Sequence, residues 1–62
     1  MSLQERMIFY RARENISQKE LARRCGVTPQ TITNVERGIQ TPSRLTEAKI
    51  DLVVNGDGKD EA

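Results

Sequence analysis

SQKELARRCGVTPQTITNVERG, residues 17–38, reads as two short helices joined by a tight turn. Ser17-Gln18-Lys19-Glu20 has the form of a capping box. The Ser17 hydroxyl can accept from the Glu20 amide, and the Glu20 carboxylate can reach back to the amide of Ser17. Leu21 and Cys25, four apart, mark the inner face. Gly26 suits the left-handed turn that ends a helix. Thr28 fits the next cap, and Pro29 fits the first helical position, where its missing N–H costs nothing. That next helix should run to about Arg37 and stop at Gly38. It commits only Ile32 and Val35 to a core. Its other positions carry Gln30, Thr31, Thr33 and Asn34, which both donate and accept hydrogen bonds.

Outward from this stretch, Leu3, Met7 and Tyr10 recur at i, i+4 and i+7, the stripe of an amphipathic helix capped by Ser2 and ending near Glu14 or Asn15. Arg6 and Arg13 are read as surface charges. Ile39 to Pro42 is a loop. Ser43 can cap a fourth helix whose inner face is read as Leu45, Ala48 and Leu52, leaving Ile50 and Val54 opposite. The β-branched run Ile50 to Val54 before Asn-Gly also allows a strand, but Lys59 to Ala62 makes a poor partner for it, so helix is favoured. The expected organisation is one domain over 1–55 and an acidic, disordered tail over 56–62.

Sixty-two residues allow one domain. No apolar run reaches the ~20 residues of a membrane span, and no charged-then-apolar leader opens the sequence. One cysteine and no histidine leave no internal disulfide and no zinc set. Core packing is the expected role of Cys25. These features predict a cytoplasmic protein without metal, cofactor or small-molecule ligand. The net charge of +1 is unevenly spread. Residues 1–50 hold nine Lys or Arg against five Glu, a balance of +4, and residues 51–62 carry −3. A basic body suits an anionic partner, and equally an ordinary solvated surface.

Two short helices joined through Gly26-Val27-Thr28, with small Ala22 allowing close approach, have the layout of a helix-turn-helix. In that motif the second helix enters the DNA major groove while the first crosses the backbone. Gln and Asn amides can bond adenine N6 and N7 together, and a Thr methyl can touch thymine. Gln30, Asn34 and Arg37 lie at i, i+4 and i+7, on one face, with Thr33 beside them. Neutral surface polars are the competing reading.

Residues 17–38 resemble the Cro and phage-repressor (XRE-like) helix-turn-helix family, and the resemblance extends from residue 3 to about 54. It rests on Gln18, Glu20-Leu21-Ala22, Gly26, Thr28, Ile32, and Glu36 before Gly38. It implies an all-α, lambda-repressor-like bundle of four helices, the fifth helix of many relatives being absent. It implies a nucleoid-associated regulator that binds double-stranded DNA, as a homodimer on a palindromic operator. By the same resemblance, Gln18 bonds phosphate and braces the first reading side chain. Gln30, Thr33 and Asn34 read bases, and Arg44 lies against the backbone or minor groove. Arg11 and Glu36 link the first helix to the third.

Lys19, Thr28 and Arg37 complete the expected backbone contacts, while Arg23 and Arg24 divide evenly between phosphates and solvent. Pro29 stands where some relatives carry a base-contacting Gln, which implies one contact fewer. Ile8, Phe9, Ile50 and Val54 are the apolar residues left for a dimer surface. Three function classes follow: a DNA-binding regulator, a protein-interaction module of antitoxin or adaptor type, and an enzyme. The last is excluded by the lack of a histidine, of paired carboxylates and of a phosphate loop.

Overall fold

Four hydroxyl side chains start the four helices. The computed structural model describes residues 2–55, and over these the order is α1 (Leu3–Glu14), α2 (Gln18–Cys25), α3 (Pro29–Glu36) and α4 (Arg44–Val54), with no strand. Ser2, Ser17, Thr28 and Ser43 are all extended, and each accepts from the amide three residues on. Such a cap contributes about 1 kcal/mol. The reciprocal box closes at Ser2, whose amide donates to Glu5 Oε1 at 2.9 Å. At Ser17 the expected return bond gives way. The Glu20 carboxylate takes Arg23 at 2.6 Å and Arg24 at 3.0 Å instead, because charge-assisted guanidinium bonds outcompete a neutral amide.

Three helix ends share one device. Asn15, Gly26 and Gly38 take left-handed φ of 57°, 74° and 75°. The next amide in each case turns back five residues: Ile16 to the Arg11 carbonyl, Val27 to Ala22, Ile39 to Asn34. The device reverses the chain within two residues and satisfies carbonyls that the helix leaves open. Ile16 and Val27 then pack against the core. This is why Asn-Ile and Gly-Val stand between the helices.

Each helix places one fully buried side chain at the centre: Met7, Leu21, Ile32 and Ile50. Tyr10, Ala22, Cys25, Val35 and Val54 complete the core, and α2 packs most closely on α3. Residues 50–54 are helical, so the strand alternative falls. The face assigned to α4 is corrected. Ile50 and Val54 are the buried pair, while Leu45 and Leu52 are 67% and 71% exposed. Both flanks of this helix are apolar, so its pattern alone could not fix its rotation. Packing of Ile50 and Val54 into the core fixes it, and Asp51, beside Ile50, accepts from Arg6 of α1 at 2.8 Å in that orientation. Arg6 is therefore a tie between α1 and α4 rather than a surface charge. Of the four residues set aside for a dimer surface, Ile50 and Val54 are core, and Ile8 and Phe9 are exposed. The acidic tail expected at 56–62 lies outside the described residues.

Candidate nucleic-acid interface

The interface begins with a polar chain running from the interior to the surface. The Arg11 guanidinium grips Glu36 with two bonds, Nε to Oε2 at 2.8 Å and Nη2 to Oε1 at 2.9 Å. The Gln18 amide donates to the same Oε1 at 3.0 Å, and Thr33 Oγ1 donates to Gln18 Oε1 at 2.8 Å. The Glu36 side chain is only 5% exposed. Burial acts to raise its pKa, but the bonds from Arg11 and Gln18 prevail and hold the carboxyl below its usual 4.5. The Arg11 pKa is raised by the same bond. Three helices are thereby locked beneath the outer face of α3. Gln4 adds a fourth hold, its amide donating to the Glu36 carbonyl at 3.0 Å.

Gln18 braces Thr33, in the second turn of α3, rather than Gln30. Both ends of its amide are engaged, and one N–H is left for an outside acceptor. Gln30 turns along its own helix. Its Nε2 donates to Asn34 Oδ1 at 2.9 Å, and Asn34 Nδ2 donates to Gln40 Oε1 at 3.0 Å. Gln30 is exposed and Asn34 half-buried, while Ile32 and Val35 hold the opposite side of the helix in the core. The Thr28 hydroxyl is committed to its cap, accepting from the Thr31 amide at 3.2 Å.

The described cations divide by partner: Arg13 pairs with its neighbour Glu14, and Lys49 on α4 is exposed with no described carboxylate partner. Arg6, Arg11, Arg23 and Arg24 are each held by a carboxylate: Asp51, Glu36, Glu20, and Glu20 with Glu14. Glu20, bonded by Arg23 and Arg24, has its pKa lowered to about 2. Arg24 also donates to the Tyr10 hydroxyl at 3.1 Å. Lys19, Arg37 and Arg44 are exposed, and among the described residues no carboxylate pairs with them. Lys19 lines a groove with Pro29 between the starts of α2 and α3. Arg37 follows α3 on the flank of Gln30 and Asn34, and Arg44 opens α4. Cys25 is buried, and burial pushes its thiol up to about 11, so it stays neutral at ordinary pH.

Sequence reading missed Gln4 and Gln40. Gln4 was legible in principle: it lies seven residues, about two turns, before Arg11, and both reach Glu36. Gln40 was not, because only the turn at Gly38 brings it back to Asn34.

This arrangement defines a helix-turn-helix protein. The helix-turn-helix family model matches residues 9–50, and the chain belongs to that family in its Cro and phage-repressor form, a family of DNA-binding transcriptional regulators. The chain is similar to an uncharacterised HTH-type transcriptional regulator of Methanocaldococcus jannaschii, 38% identical over 48 residues, or 77% of this chain and 73% of the relative. A second such regulator, of Archaeoglobus fulgidus, is 40% identical over 53 residues, or 86% of this chain and 75% of the relative. No solved structure matches the chain significantly. Among the described residues no helix is long and apolar enough to cross a membrane.

Proposed function

We propose that this protein is a transcriptional repressor that lays α3 in the major groove of a palindromic operator, as a homodimer, in the cytoplasm of its host. The observation that carries the reading is the outer face of α3. It presents the amides of Gln30 and Asn34 over a rigidly braced Thr33, on a helix anchored from behind by Ile32 and Val35. Amides in that setting suit base edges, because each can donate and accept together, as adenine N7 and N6 require. Lys19, Arg37 and Arg44, not neutralised by any described carboxylate, take phosphates and set the register. The free N–H of Gln18 adds a further phosphate contact. Two copies reading half-sites about one helical turn (~34 Å) apart would cover enough DNA to exclude polymerase.

Selection from a random duplex pool tests the reading, with native protein and a Gln30→Ala/Asn34→Ala variant side by side. A palindromic consensus, blurred at defined positions by the variant, is the expected result. An unpaired motif would remove the dimer and keep the DNA reading. Absence of enrichment would overturn it in favour of a protein-interaction module. A reporter placed downstream of the selected site reads the sign: native protein should lower its expression, and the variant should not.

A further inference from the structure

Asn34 is tied to the α3–α4 loop twice. The Gln40 amide N–H donates to the Asn34 carbonyl at 3.3 Å, and the Gln40 side-chain Oε1 accepts from Asn34 Nδ2 at 3.0 Å. With the Gln30–Asn34 bond, three side-chain amides form one chain along the exposed face, each donating to the next. The chain has a direction. Asn34 Nδ2 faces the loop and Oδ1 faces Gln30, whose Nε2 is the donor, so Gln40 and Gln30 hold the Asn34 amide from either side.

We propose that Gln40 is a further specificity-determining residue, a positioning residue that acts on base choice through Asn34 and Gln30. The inference rests on the reading of α3 as the base-reading helix. Adenine presents an N6–H donor beside an N7 acceptor, so an amide must bring oxygen to one and N–H to the other. An amide turned end for end meets adenine with two repulsive contacts. Within the chain, Gln30 keeps Oε1 and one N–H unengaged, and Asn34 keeps one N–H and the second lone pair of Oδ1. Both can therefore still pair with a base, while the bonds on either side hold the Asn34 side chain in one position. Orienting the amides before binding also spares the ordering cost that loose side chains incur on the DNA. Gln40 stands outside α3 and needs no base contact of its own for this effect. Gly38 makes it possible, since its left-handed φ folds the loop back onto the helix end.

Gln40→Met keeps the length of the side chain and removes the acceptor; Gln40→Glu keeps the acceptor. In the free protein, the NMR signals of the Asn34 and Gln30 side-chain amides should shift in Gln40→Met and hold in Gln40→Glu. On DNA, competition between the selected operator and one altered at the Asn34 base pair reads preference. Gln40→Met should lower that preference about tenfold, within the range a bidentate amide–base pair supplies, with affinity for unrelated DNA unchanged. In an Asn34→Ala background, Gln40→Met should change nothing further.

Unshifted amide signals would remove the chain and overturn the proposal on their own, whatever DNA does. Equal weakening on every sequence, or an added loss in the Asn34→Ala background, would make Gln40 a direct DNA contact and overturn it as positioning. Shifted signals in Gln40→Met, together with a native protein that shows no base preference, would instead defeat the reading of α3, and the proposal with it.

Discussion

Glu36 ties α1 and α2 to α3. Its carboxylate, almost fully buried, receives Arg11 and Gln18, and its carbonyl receives Gln4. Because its folded pKa lies below 4.5, the pair contributes fully above that value and loses its contribution as pH falls through the folded pKa. Glu36→Gln should therefore flatten the loss of stability as pH falls below 4.5, and lower stability at neutral pH by ~1–3 kcal/mol. Urea midpoints across that range check this. Glu20, also lowered, is present in both proteins and drops out of the difference. A native and a variant curve that stay parallel would show that Glu36 does not titrate in this way. The resemblance singled out Arg11 and Glu36 by position. That Gln18 joins them and leads to Thr33 is a matter of three-dimensional distance alone.

At the scale of the element, caps and turns were open to reading because their chemistry is local. Ser2, Ser17, Thr28 and Ser43 each act within three residues. The two glycine ends differ in one measurable respect. A Cβ at Gly26 would meet nothing within 4 Å, so Gly26→Ala should cost only the left-handed backbone penalty, about 1–2 kcal/mol. At Gly38 the same Cβ would stand 3.0 Å from Gln4 Nε2, the group that bonds the Glu36 carbonyl. Gly38→Ala should therefore lose more than Gly26→Ala, and the gap between them should narrow in a Gln4→Ala background; thermal denaturation of both glycine variants, with Gln4 and with Gln4→Ala, decides. The rotation of α4 was beyond local reading. Ile50→Ala should cost ~2–5 kcal/mol, whereas Leu52→Ala should stay within about 0.5. A larger loss at Leu52 than at Ile50 would return α4 to the orientation its pattern first suggested.

Over the whole molecule, carboxylates sort the positive charge. Arg6, Arg11, Arg23 and Arg24 are held by carboxylates. Among the described residues no carboxylate pairs with Lys19, Arg37, Arg44 or Lys49, and on the proposed reading the first three of these take phosphates. Binding measured against salt concentration should show it. Lys19→Ala, Arg37→Ala and Arg44→Ala should each reduce the slope by about 1, while Arg24→Ala, whose charge is already held by Glu20 and Glu14, should leave it unchanged. A slope that ignores one of the three removes that residue from the phosphate contacts. The sequence by itself determined the helices, their caps, the glycine turn between α2 and α3, and the polar character of α3, because each depends on neighbours within about one turn. The tertiary structure alone decided which flank of α4 is buried, which arginines are spent, and that Gln40 meets Asn34. Those outcomes depend on packing and on charge pairs between residues as far apart as Arg6 and Asp51, and no local pattern encodes which of two apolar faces or several carboxylates will prevail.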